Sequence, residues 1–346
     1  MLYLSIRIRL TGFGFTKGTG PGIPNMRGIR GCMRALKCTV PDVVGDVYEA
    51  IRGGFVSDNP MLNVILEQIF STPGKGARPL FMEMIARKNG GGWEPVRKAA
   101  MVVEAIHIAS LLHDDVVDGS KMRRGETTLH TRYSDKVSVL FGDYVFMKAL
   151  MIAHSIEDSE VVRVIQNAVE RMTEGEIRDS LRIGPLDEDG YYKIIGDKTA
   201  SLFAAAGEAG IILTGGGKGE REWARELGEA VGMAFQIIDD TLDFKGDAAV
   251  MGKPALMDLR GGFPTLPVIH ALRGCDSDEV KRMLDGSERS EDRLLAVVRE
   301  RGGLEYAHER AQEFLRRGRE ILGYFGDGDS GAEFDRFFEM IVGRRA

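Results

Sequence analysis

Aspartates carry the clearest chemistry in this sequence. Asp114, Asp115 and Asp118 form a D-D-x-x-D run, and Asp239, Asp240 and Asp243 repeat that spacing. Residues i and i+4 share a helix face, so Asp114 points with Asp118, and Asp239 with Asp243. Like charges at that spacing destabilise a helix. Each cluster also follows an apolar run, Ile106–Leu112 and Met233–Ile238. Carboxylates brought near a core resist desolvation unless cations neutralise them. Acidic residues are at home at helix N-termini, but these stand on the C-terminal side of apolar runs, where the helix dipole disfavours them. Only oxygen ligands are offered. Mg²⁺ suits such a set, because it takes one or two carboxylates, keeps waters and shares phosphate oxygens. Two carboxylate walls facing across a cavity imply Mg²⁺ clamping a diphosphate.

A diphosphate also needs fixed positive charge. Lys75 and Arg78 stand three apart in Gly74-Lys75-Gly76-Ala77-Arg78-Pro79, ahead of a helical run. Arg123 and Arg124 follow the first aspartate cluster, Lys198-Thr199 lies between the clusters, and Lys253 follows the second in Gly252-Lys253-Pro254. Gln236 precedes Asp239 by three and His107 precedes Asp114 by seven, so each shares its aspartate's helix face. Gly74-Lys75 does not open a Walker A loop, since the G-x-x-x-x-G-K-[ST] pattern is absent.

The scaffold that must position these groups reads as helical. Val96–His113 is apolar at intervals of three and four without Pro or Gly, and Val161–Leu181, Glu220–Phe244 and Leu304–Leu322 behave alike. Gly90-Gly91-Gly92, Gly119, Gly184-Pro185, Gly215-Gly216-Gly217 and Gly261-Gly262 punctuate them. Alternating strand patterns are scarce. The expectation is an all-α bundle of about ten helices around one core, whose site is built from inward-facing side chains.

Composition narrows the function class. The chain has 346 residues, a formal charge of −6, 43% apolar and 28% charged residues, an ordinary globular balance. Net acidity argues against a nucleic-acid partner. Three scattered cysteines, Cys32, Cys38 and Cys275, support neither a disulfide scaffold nor a zinc site, and fit a reducing compartment such as the cytoplasm. No stretch approaches 18 uncharged apolar residues, so no membrane span is expected. Residues 1–41 hold seven basic and no acidic residues with a Gly/Pro-rich stretch. They read as an extension apart from the domain over 42–346, either transit-peptide-like or lying upstream of a true start at Met26 or Met33.

In order, Lys75–Pro79, the run H-I-A-S-L-L-H-D-D-V-V-D with R-R-G, Lys198-Thr199-Ala200, F-Q-I-I-D-D-T-L-D-F, and Gly252-Lys253-Pro254 leading to Thr265-Leu266-Pro267 resemble the trans-prenyl diphosphate synthases over about residues 45–345. The resemblance implies an all-α bundle around a deep cavity, as a homodimer. It implies head-to-tail joining of isopentenyl diphosphate to an allylic diphosphate. Asp114 and Asp118, with Asp239 and Asp243 opposite, would hold about three Mg²⁺ ions on the allylic diphosphate. Asp115 and Asp240 complete the two acidic motifs. Arg123, Lys198 and Lys253 would contact the same diphosphate. Lys75, Arg78, His107 and Arg124 would hold isopentenyl diphosphate, and Thr199 and Gln236 would face the developing cation. Two positions depart from the family pattern: Gly76 stands where an Arg is usual, and Asp179 stands where long-chain members often carry Gln.

Product length follows from side-chain volume along the helix before Asp114. Short-chain relatives tend to carry an aromatic floor four or five residues before it, but here Ser110 and Ala109 are small. Each turn rises ~5.4 Å, about one extended isoprene unit. The next candidate plugs are Ile106 and Val102-Val103, with Phe146 and Leu150 on a neighbouring helix. The expected product is about C30–C50, and Ala109→Phe should shorten it. The competing readings are a C15–C20 synthase and a class I terpene cyclase. A cyclase would need neither the second aspartate motif nor a second diphosphate clamp. A phosphohydrolase built on His113-Asp114 would need further histidine ligands that the sequence does not supply.

Overall fold

The computed structural model describes residues 42–71, 73–181, 187–242, 244, 264–275, 288–325 and 331–343. Asp243, Lys253 and residues 1–41 lie outside them. Among the described residues there are fourteen α-helices, one π turn and one short hairpin. In chain order these are α1 (Val43–Gly54), α2 (Pro60–Phe70), α3 (Ala77–Lys88), α4 (Trp93–Val117), β1 (Met122–Arg123), β2 (Glu126–Thr127), α5 (Leu129–Arg132), α6 (Asp135–His154), α7 (Ser159–Ser180), α8 (Glu188–Ile195), the π turn (Gly196–Ala200), α9 (Ser201–Leu213), α10 (Lys218–Leu242), α11 (Leu266–Ala271), α12 (Glu288–Glu300), α13 (Gly303–Tyr324) and α14 (Gly331–Val342). The number exceeds the ten expected because short helices such as α5 and α11 carry little periodic signal.

The four long periodic runs become α4, α7, α10 and α13; α4 and α13 extend beyond the expected runs at both ends, while α7 and α10 start two residues earlier and end one and two residues sooner. Side-chain caps set several starts. Asp42 accepts from Gly45 N for α1, Ser134 from Val137 N for α6, and Asp158 from Glu160 N and Val161 N for α7. Helix α4 packs along α6 and α3, and α9 along α10, α7 and α3, while α10 also lies against α13. One apolar core runs through these helices, from Val43 to Ile341, and a small second cluster joins Phe244, Val268 and Leu272 to Leu294 and Val298.

Helix α6 is the one described helix long and apolar enough to cross a membrane by length and composition, with mean hydropathy 1.4. It carries Asp143 and Lys148, and its buried side, with Phe141, Val145 and Ala149, packs into the core against α4. Val139, Leu140, Met147 and Met151 on the same helix are exposed.

Candidate active site

The ends of α4 and α10 open into one cavity of about 670 Å³. Asp114 and Asp118 line it from α4, and Asp239 and Asp240 from α10. Burial pushes the Asp114 carboxyl up to about 7. Glu176 and Asp118 add to the shift, while Lys198 and Arg123 oppose it. Asp115 is turned the other way. It is buried, does not line the cavity, and accepts from Arg123 Nε at 2.6 Å. Helix phase explains this, since the residue after Asp114 is rotated by about 100°. Asp240 is buried at the cavity wall, with Tyr191 OH donating to Oδ2 at 2.6 Å and Gln236 Nε2 to Oδ1 at 2.7 Å. Asp239 is the exposed member of its pair.

The basic residues arrive from two loops. Arg124 and Gly125 form the two-residue turn between β1 and β2 with φ of 54° and 80°. Such a turn demands left-handed backbone at both positions, and Arg124 accepts that cost without being glycine. The turn places Arg123 and Arg124 on the cavity wall. Beside that turn, the loop before α3 brings Lys75 and the first turn of α3 brings Arg78 to the same cavity, and a Cβ on Gly74 would lie 2.7 Å from Arg124 Nη2. Arg78 is 5% exposed, and its guanidinium lies 4.7 Å from the Phe203 ring centre and 5.8 Å from that of Phe235. Beneath them Glu104 is 1% exposed and accepts from Tyr48 OH at 2.8 Å, while Gly74 N donates to the same hydroxyl at 2.8 Å. Burial holds the Glu104 carboxyl above its usual range, although Arg78 and Arg124 pull it down. Gly76, in place of the usual Arg, has φ of 56°, and a Cβ there would meet Val44 at 2.7 Å. His107 lines the cavity from α4.

Lys198 and Thr199 reach the cavity from the π turn, an uncommon element that recurs at functional sites. Lys198 Nζ lies 2.7 Å from Glu176 and 2.9 Å from Asp179 on α7. Burial works against its charge, but these carboxylates outweigh burial and hold the ammonium well above its ordinary range. Thr199 Oγ1 donates to Gln236 Oε1 at 2.7 Å, and Gln236 passes the chain to Asp240 and so to Tyr191. Tyr191, Glu104, Tyr48 and Glu176 were not anticipated as site residues. Glu104 gave a local signal as a charge inside the apolar run V-V-E-A-I-H, and Glu176 stood in the familiar Glu174-Gly175-Glu176 beside Asp179. His113 faces α6 instead, with Nε2 3.1 Å from Val139 O and 3.4 Å from Asp143. It is not part of a histidine-aspartate metal pair.

A sequence model of the polyprenyl synthetases matches residues 59–300. The chain belongs to that family. Among similar proteins, the octaprenyl diphosphate synthase of Haemophilus influenzae is 34% identical over 274 residues, 77% of this chain and 83% of that one. A decaprenyl diphosphate synthase from Rhodobacter capsulatus superposes with a TM-score of 0.81 at 31% identity, covering 92% of this chain and 99% of the other. A polyprenyl synthase from Caulobacter crescentus, crystallised with calcium and isoprenyl diphosphate, superposes at 0.83 with 30% identity, over 92% and 98%. The enzyme is thus a trans-prenyltransferase.

Among the described residues of this prenyl synthase, Asp114, Asp118, Asp239 and Asp240 bring carboxylates to the cavity, and Glu176 and Asp179 add two more beside Lys198. Of the chain-length positions, Ser110 lines the cavity, whereas Ala109 and Ile106 are 2% and 3% exposed in the core. The same phase argument applies: Ser110 and His107 lie within about 40° of Asp114 around α4, and Ala109 about 140° away. Phe146 and Leu150 do not line the cavity either.

The raised Asp114 carboxyl has a measurable consequence. A raised folded pKa gives stability that is full below the unfolded value and lost as pH rises through about 7. Metal-free protein should therefore lose thermal stability as pH rises from about 4 to about 7 and level off above that, and Mg²⁺ should restore it by neutralising the ionised carboxylate. Thermal melts with and without Mg²⁺ check this. A Mg²⁺ shift that is no larger at pH 8 than at pH 6 would count against Asp114 as a ligand.

Proposed function

We propose that the enzyme condenses isopentenyl diphosphate head to tail with an allylic diphosphate and releases a trans-polyprenyl diphosphate of about C30–C50. The observation that carries this is that one cavity gathers two sets of anchoring residues: Asp114, Asp118 and Asp239 with Lys198 and Arg123, and the further cations Lys75, Arg78 and Arg124 with His107. A cyclase, which ionises one diphosphate, has no use for the second set. Small Ser110 at the cavity wall supports the long product.

Mg²⁺ held by Asp114, Asp118 and Asp239 would supply Lewis-acid stabilisation of the departing diphosphate. Lys198 and Arg123 add fixed positive charge where the leaving group gains negative charge. Thr199 and Gln236 present oxygen dipoles toward the allylic carbon as it becomes cationic. Lys75, Arg78, His107 and Arg124 hold isopentenyl diphosphate so that its double bond meets that carbon, turning a two-body encounter into a positioned one. Phe235, Met172, Ile194 and Ile195 in the wall exclude water that would quench the cation. The final proton goes to the released diphosphate, which lies beside the carbon that loses it. The working unit is a homodimer, for which the exposed apolar side of α6 supplies a surface. The compartment is the cytoplasm, which the three scattered cysteines suit.

The deciding assay supplies Mg²⁺, isopentenyl diphosphate and C10, C15 or C20 allylic primers in turn, followed by product mass. Products of C30–C50 are expected. Products ending at C20 would overturn the length, and a hydrocarbon formed without isopentenyl diphosphate would overturn the reaction.

A further inference from the structure

The π turn carries Lys198 and Thr199, and directly before them a charged residue that the reaction does not use. Asp197 is 1% exposed. It accepts from Arg171 Nε at 3.0 Å, and it pairs with Arg178 Nη1 at 2.9 Å and Lys193 Nζ at 3.0 Å. Three cations on one carboxylate, with Arg171 shared at 3.4 Å with Glu229, invite an explanation beyond neutralisation.

The partner helix supplies one. On α7, Arg171 and Arg178 are seven apart and share a stripe. Glu176 and Asp179 lie about 80° to 160° away around the same helix and take Lys198. Two neighbouring residues of opposite charge therefore meet two differently charged sets on α7. A slip of one residue in one direction would set Asp197 against Glu176 and Asp179, and a slip in the other would set Lys198 against the arginines. The turn is also gripped on both flanks. A Cβ on Gly175 of α7 would lie 2.8 Å from Lys198 N, and one on Gly232 of α10 would lie 2.5 Å from Ala200 Cα. Ser201 Oγ donates to Asp197 O at 2.6 Å. A π turn holds one residue more than an α turn and is rare without outside support.

We propose that Asp197 is a positioning residue: its buried cluster with Arg171, Arg178 and Lys193 fixes the register of the π turn and thereby delivers Lys198 and Thr199 to the allylic diphosphate. This rests on the prenyl-transfer reading of the same cavity. The role is selective, because the cluster touches nothing in the loop of Lys75 and Arg78 or in the hairpin turn of Arg124.

Asp197→Asn tests it, since it keeps volume and removes charge. With isopentenyl diphosphate saturating, KM for the allylic substrate should rise and kcat fall, together lowering kcat/KM roughly 10- to 100-fold. KM for isopentenyl diphosphate should stay within about twofold. Calorimetry with inorganic pyrophosphate and Mg²⁺ should show affinity weakened about tenfold. Arg178→Met should give the same selective pattern more mildly, and it serves if the Asn variant does not fold by circular dichroism. Unchanged allylic KM and pyrophosphate affinity in folded variants would overturn the proposal, as would equal losses for both substrates, the mark of general loosening. If the unaltered enzyme forms no prenyl product, the reaction class fails, while pyrophosphate calorimetry on the variants still decides the role of Asp197.

Discussion

Replacing Asp114 by alanine is expected to lower turnover at least about a thousandfold, roughly 4 kcal/mol of lost transition-state stabilisation, with helical circular dichroism unchanged. Asp114 faces the cavity from the last turns of α4, and Asp118 and Glu176 are close enough to raise its carboxyl. Its ionised form is a burden that a bound cation converts into a use. Stability should therefore move opposite to activity. At pH 8 the metal-free Asp114→Asn protein should melt about 2–4 °C higher than the parent, because the ionised carboxylate is gone. Asp239→Ala, on the facing wall, should match the loss of turnover. Undiminished turnover in both variants, measured with Mg²⁺ and both diphosphates, would remove the acidic walls from the mechanism.

Phenylalanine at position 110 is expected to shorten the product from about C30–C50 to C20 or below. Ser110 lies on the stripe of α4 that faces the cavity, so a ring there enters the space along which the tail grows. Ala109 behaves differently. It is 2% exposed among core side chains, and a ring there overpacks the interior at a cost of about 1–3 kcal/mol. Ala109→Phe should shorten the product only through displaced neighbours and should lower the melting temperature as well. Chromatography of the products separates the cases. An unchanged length from Ser110→Phe would show that the tail leaves by another route.

The helical class and the two acidic runs were legible because both depend on spacing along one helix. The facing of neighbouring residues was not. Asp114 and Asp115 look alike in sequence, yet one faces the cavity and the other pairs with Arg123 in the interior. Ala109 and Ser110 divide in the same way. What decides is the phase of α4 against its neighbours, a tertiary quantity. Tyr191 and Tyr48 were hidden for another reason. Each supports a residue far away in sequence: Tyr191 holds Asp240, 49 positions on, and Tyr48 holds Glu104, 56 positions on. The pair Arg123-Arg124 was recognised as basic, but the left-handed turn that aims it was not, since Arg is seldom found there.

Helix α4 starts after Gly92 and reaches Asp114 after a rise of about 32 Å, the span of about six extended isoprene units. A C40 tail has eight. If it grew along the whole of α4, beyond the cavity wall that ends at Glu104, its last units would pass the beginning of the helix and meet water there, at about 0.8 kcal/mol for each exposed methylene. An oily acceptor at that end, whether a bilayer or a detergent micelle, would draw the finished lipid out. For the longest products, the pace of the cycle then passes from bond making to extraction.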